Sequence, residues 1–230
     1  MNISNCNSKA RLTSAAAIAL ALSLGGVFVP LLVRPLLLAN EFTSYQINFA
    51  FKIYLWILAL SVWAIALRWE KLAREQVGLR RISLRSALQA VGIGVLLIIG
   101  IIVVSSVIIF IFNPDSQMEP LPAYSVVFWF FAVVTAAVTE ETLYRAYPLE
   151  KLEALTGRIW PGAIITCVLF VLAHMGSNSL VEILFIIAPI AAALTWIYLW
   201  KRNFLYVVIV HFVIDSHLWI RPLIAIFTEA

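Results

Sequence analysis

The sequence predicts an all-α fold, a polytopic helical bundle in a membrane with about seven spans, or eight if the tail 221–230 folds back. Three observations lead there. Apolar residues make up 63% of the chain and charged residues only 12%, against about 25% charged residues in soluble domains. The mean hydropathy is +1.00, too much apolar surface for a 230-residue globule to hide. Finally, the apolar residues come in long runs, most of them near the roughly 20 residues a spanning helix needs. In lipid each backbone polar group must be paired within its own segment, so such runs are helices.

The runs fall near 15–38, 46–67, 87–112, 123–146, 160–175, 179–200 and 203–220. The first follows a short basic stretch, as in a signal peptide. It is longer than a typical apolar signal region and lacks a small-residue cleavage site, so it reads as a span. Pro30, Pro35, Pro189 and Pro222 lie in or beside runs, where neighbouring helices tolerate a kink. No internal repeat or low-complexity tract is visible. The organisation expected is an accessory pair of spans over 1–74, a membrane core over 75–220 and a tail over 221–230.

Charge sets the orientation. The segment 68–86 holds Arg68, Lys71, Arg74, Arg80, Arg81 and Arg85 against Glu70 and Glu75. Lys9 and Arg11, Lys151 and Arg158, and Lys201 and Arg202 fall on the same side. Arg34, Glu41, Asp115 and Glu119 fall on the other. The positive-inside rule puts the N-terminus in the cytoplasm. The net charge of +4 is then topology and attraction to anionic lipid, with no nucleic-acid partner required. Cys6 and Cys167 are too few for a disulfide framework.

Ionisable groups inside apolar runs cost several kcal/mol unless they are paired or line a wet cavity, so they mark a functional site. Glu140, Glu141 and Arg145 end the fourth run, His174 lies in the fifth, and His211 and Asp215 lie in the seventh. Residues four apart share a helix face. Glu141 and Arg145 therefore pair, while Glu140 points about 100° away. Glu140 is left without a local cation and is the better general base. Phe170 and His174, and His211 and Asp215, repeat the spacing of four. A rise of about 1.5 Å per residue brings Glu140, His174 and His211 into a band of one or two turns. Metal binding is the competing chemistry, since Glu140, His174 and His211 could hold a zinc ion with one position open. Cys167 lies two turns, or about 10 Å, from His174. It reads as a small buried hydrophobe rather than a nucleophile. Lys52, Glu182 and Arg221 read as helix-end residues whose charges snorkel to the interface.

Read as motifs, these residues are Glu140-Glu141-Thr-Leu-Tyr-Arg145, Phe170-Val-Leu-Ala-His174 and His211-Phe-Val-Ile-Asp215. In that order, on separate apolar segments, they resemble the CPBP family of intramembrane endopeptidases, which includes the CAAX prenyl proteases and bacterial Abi-type proteins. The resemblance covers about residues 75–216, including the Val-Gly-Leu-Arg approach to the third span. The family usually has glycine after the motif arginine, where this chain has Ala146. The third motif commonly ends in Asn, where this chain has Asp215. The resemblance implies a multi-pass enzyme of a membrane, the inner membrane of a bacterium given the compact chain. It would hydrolyse a membrane-associated or lipidated peptide or protein without a cofactor. Glu140 would activate water. His174 and His211 would orient the water and stabilise the oxyanion, and Asp215 would hold His211 or the water. Glu141 and Arg145 would fix the geometry, and Phe170 would shape the wall. The resemblance also implies a cavity open toward the basic segment 68–86. A non-catalytic relative that binds a membrane partner, as regulator or bacteriocin-immunity protein, is the alternative.

Overall fold

The computed structural model describes residues 3–112, 124–175 and 178–228, so Asp115 and Glu119 lie outside the described residues. Among the described residues every regular element is helical. In chain order they are α1 Ile3–Ala39, α2 Ser44–Trp69, α3 Leu84–Phe112, α4 Val126–Thr156, α5 Ile159–Ala173, α6 Leu180–Lys201, α7 Phe204–Asp215 and α8 His217–Thr228. Among the described residues six helices are long and apolar enough to cross a membrane, the last being Phe204–Ile224 across α7 and α8.

Two differences from the expected spans matter. Helix α5 has 15 residues, or about 22 Å at 1.5 Å per residue. That falls short of a hydrocarbon core of about 30 Å. The tail does not fold back at 221 within the described residues, because α8 continues unbroken to Thr228.

Capping explains where several helices begin. Thr43 accepts from the Gln46 amide while the Gln46 side chain accepts from the Thr43 amide, a reciprocal cap for α2. Ser179 and Glu182 repeat it at the start of α6, so Glu182 does sit at a helix end. Ser125 caps α4 and Asn203 caps α7.

Helix α4 lies at the centre, with α1, α2, α5, α7 and α8 against it. Helix α3 packs mainly on α7. Gly94 permits that approach, since a Cβ there would meet Val213 at 2.7 Å. Much of the outer surface of α3 is exposed and apolar, with Leu88, Leu96 and Phe110 facing outward, as lipid contact requires.

The basic end is tied together by ion pairs. Lys151 Nζ meets Glu70 Oε1 at 2.9 Å, and the Tyr147 hydroxyl donates to Glu70 Oε2. Arg202 meets Glu150 at 2.9 Å and Glu153 at 2.7 Å. Gly78 joins the connection after α2 to α7. Its carbonyl accepts from the Phe204 amide at 2.8 Å, its φ is +75°, and a Cβ would lie 2.8 Å from the Tyr198 hydroxyl. Both the backbone angle and the space call for glycine.

Candidate functional site

Helix α4 is not regular through the motif. Ala136–Glu140 and Thr142–Ala146 are two π-helical turns with Glu141 between them. Such wide turns often mark functional sites. The threonines of this apolar stretch accommodate them. Thr139 Oγ1 donates to the Thr135 carbonyl and Thr142 Oγ1 to the Val138 carbonyl, at 2.7 and 2.8 Å. Trp56 and Trp63 of α2 donate to Thr135 and Thr142. These two tryptophans lie inside the bundle rather than in an interfacial belt.

The predicted pair forms. Arg145 Nη1 donates to Glu141 Oε1 at 2.9 Å, and both side chains are fully buried. The guanidinium lies 4.1 Å above the Phe170 ring, so Phe170 supports a cation as well as forming a wall. Nη2 also reaches the Ala191 carbonyl at 3.5 Å.

Glu141 has a second partner that spacing within one helix does not reveal. His211 Nδ1 lies 2.7 Å from the same Oε1. A carboxylate can only accept, so Nδ1 carries the hydrogen. His211 Nε2 is left facing Asp215 Oδ2 at 3.4 Å and Glu140 Oε2 at 4.0 Å. One continuous line thus runs from Arg145 through Glu141 and His211 to Asp215 and Glu140.

His174 follows the same rule by a different route. It is the residue after the last turn of α5, and its Nδ1 lies 2.9 Å from the Phe170 carbonyl. A carbonyl also only accepts, so Nδ1 donates and Nε2 is left for other partners. Because α5 stops short, His174 sits where the chain leaves the helix within the bundle. Irregular backbone at that depth is tolerated where it lines a cavity.

Two adjoining cavities of about 370 and 290 Å³ share Asn48, Lys52, Glu140 and His174 in their walls. His211, Asp215 and Phe170 line the smaller one. All seven residues singled out in the sequence therefore gather at one place: Glu140, His174, His211 and Asp215 on the cavities, Phe170 in the wall, Glu141 and Arg145 behind. Cys167 is free and packs in the apolar core around Phe170. Among the described residues, no three His, Cys, Asp or Glu side chains are grouped as a metal-ion site.

Two expectations fail. Lys52 is not a helix-end residue. It lies eight residues into α2, about 12 Å from Ser44 at 1.5 Å per residue, and forms part of both cavity walls. Asn48, Phe51, Lys52 and Leu55 make a single stripe at helical spacing, a signal the sequence did contain. Arg34 lies within α1 rather than in a loop, and lines the larger cavity. The second failure concerns direction. The cavities extend from the motif layer toward Arg34, Pro35, Asn48, Tyr124 and Met175, beside the turn that joins α1 to α2. The segment 68–86 is at the other end of α2, where ion pairs and packed tyrosines close the bundle. The cavity therefore extends away from the basic segment, opposite to what the resemblance implied.

Fold and site together define a class: a multi-pass helical membrane protein whose carboxylates and imidazoles converge on an internal cavity. Residues 122–217 match the family model described as Rce1-like, type II CAAX prenyl endopeptidase Rce1-like. That match, from the start of α4 to the start of α8, supports the CPBP/CAAX protease family. The match is to a family of CAAX-type endopeptidases and supports a protease at that level. No curated protein and no solved structure matches the chain.

Proposed function

We propose that the chain hydrolyses a peptide bond of a membrane-associated substrate with water activated by Glu140. The observation that carries this reading is the pairing pattern of the two adjacent glutamates. Glu141 Oε1 is taken by Arg145 and His211, and the side chain is fully buried. Glu140 has no hydrogen bond to a described side chain and stands on the cavity. A general base needs that freedom, because it must take a proton from water held beside it.

In this reading Glu140 accepts the water proton as the hydroxide oxygen bonds to the scissile carbonyl carbon. The proton then passes to the amide nitrogen as the C–N bond breaks, leaving an acid and an amine. His174 with Nδ1 tied to Phe170 presents Nε2 as an acceptor that orients the water. His211, held between Glu141 and Asp215, can carry a second proton and donate Nε2–H to the tetrahedral oxyanion. Arg145 and Phe170 hold Glu141 in place. No metal is assigned a part.

Glu140→Gln tests this. It keeps size and polarity and removes the basic carboxylate that takes the water proton. Cleavage should fall about 100-fold or more with the melting temperature unchanged. Turnover near that of wild type would end the glutamate reading. A partner-binding or immunity role would survive the substitution with its cellular effect intact.

The charge bias supports a cytoplasmic basic segment, and the cavity then receives its substrate from the opposite face. In a background with Cys6 and Cys167 replaced, Phe42→Cys in the α1–α2 turn should react with an impermeant thiol reagent on intact cells. Ser83→Cys should react only after lysis. The reverse pattern would invert the orientation.

A further inference from the structure

We propose that Arg34 and Lys52 form an anion subsite that takes a carboxylate of the peptide substrate, in the wall of the cavity that Glu140 also lines. The proposal rests on the hydrolytic reading above and adds what the substrate must carry.

Both cations lie inside membrane helices and are partly buried. A cation at such depth is costly unless it is paired or reaches a wet cavity. Among the described residues neither is in an ion pair. Among the described residues Arg34 makes one side-chain hydrogen bond, from Nη1 to Asn48 Oδ1 at 3.0 Å. Asn48 is held in turn, with its Nδ2 3.3 Å from the Tyr124 hydroxyl. The guanidinium is thus oriented through one of its five N–H groups, and the others are left for a ligand. Lys52 is one turn from Asn48 on the same face of α2, and its ammonium supplies three more donors. A guanidinium can bind a carboxylate through two parallel bonds, and an ammonium can add a point charge.

Depth argues for a peptide carboxylate rather than a lipid phosphate. Lys52 lies about 12 Å along the helix from Ser44, while phosphates stay in the headgroup layer. A peptide that places its scissile bond at Glu140 must occupy this cavity, since Lys52, Glu140 and His174 share its wall. The carboxylate could be the chain terminus or an acidic side chain. Two arms of the test separate them.

The probes are three tetrapeptides: acetyl-Ala-Leu-Ala-Leu as the free acid, the same peptide as its amide, and acetyl-Ala-Leu-Ala-Glu amide. Binding to detergent-purified full-length protein is read from tryptophan fluorescence, Trp129 being in the wall of the adjoining smaller cavity, which Lys52 also lines. The Glu140→Gln form serves as a second host, so cleavage does not confuse the reading. The free acid should bind at least about 10-fold more tightly than its amide, a ratio expected for a charge-assisted pair. Arg34→Gln with Lys52→Gln should erase that preference. A glutamyl amide that binds like the acid shows that a side-chain carboxylate is taken as well as the terminus, one that binds like the amide restricts the subsite to the terminus, and one that alone binds tightly restricts it to the side chain. Lys52→Gln alone, which removes no described hydrogen bond, should weaken the preference even if the Arg34 variants fail to fold. Equal binding of all three peptides, no binding of any, or a preference that survives the substitutions would each overturn the proposal. So would tight binding of phosphatidylglycerol over phosphatidylcholine that depends on Lys52 and comes without a carboxylate preference. Lost turnover in Glu140→Gln with no carboxylate preference sinks the subsite alone. A clear preference with full turnover in Glu140→Gln sinks the hydrolytic reading alone.

Discussion

The two ends of the bundle treat charge in opposite ways. At the basic end Glu70, Lys151, Glu150, Glu153 and Arg202 are matched with partners, and Tyr147 and Tyr198 close over them. Burial works against the Arg202 charge, yet the bond to Glu153 and the charge of Glu150 more than reverse that and raise its pKa above the ordinary arginine value. At the other end Arg34, Lys52 and Glu140 face a cavity without an ion pair to one another. The layer between, Arg145–Glu141–His211, is paired like the basic end and borders the cavity like the open one. Matched charge holds helices together at the basic end, while the charges of the open end face a cavity.

Breaking the middle layer should cost most. Arg145→Ala leaves Glu141 buried without its cation, at about 3–5 kcal/mol of stability, readable as a fall in the denaturation midpoint and in expression. Adding Glu141→Ala should restore much of the stability. It should not restore activity, because His211 loses the acceptor that fixes its ring. Recovery of activity in the double variant would show that Glu141 serves Arg145 only.

The basic end should yield a smaller effect of a different kind. Lys151→Ala removes one partner of the Glu70 pair, whose side chains are 9% and 14% exposed. The expected loss is about 1–3 kcal/mol, with turnover per folded molecule unchanged. A fall in turnover at constant folded fraction would mean that this end communicates with the cavity.

The smallest effect is expected from chelation. If the open end works through a carboxylate base, active detergent-purified protein should keep its rate under a chelator titration, and elemental analysis should find no stoichiometric zinc. Zinc that leaves together with activity would recast Glu140, His174 and His211 as ligands.

Much of the site was legible because it depends on helical periodicity. Residues four apart share a face, so Glu141 with Arg145 and His211 with Asp215 could be paired on paper, and both pairs are in contact. The bond from His211 to Glu141 joins helices 70 residues apart in sequence, and no local pattern encodes it. The π turns in α4 depend on hydroxyls from three threonines and on two tryptophans of α2, so they too are tertiary. Lys52 was missed for a simpler reason. One lysine in an apolar run reads equally well as snorkelling, and only its stripe-mates Asn48 and Phe51 distinguish the two. The direction of the cavity came from resemblance instead of from residues, and it was there that the expectation failed.

Helix α5 has a consequence for the bilayer itself. It ends about 8 Å short of the hydrocarbon thickness, and its free end carries His174. Lipid beside it must thin, or flanking side chains must snorkel, at a cost of fractions of a kcal/mol per ångström. The surrounding acyl chains thereby press on the position of an imidazole at the cavity. Membrane thickness, a property of the solvent and not of the chain, becomes one of the coordinates of the site.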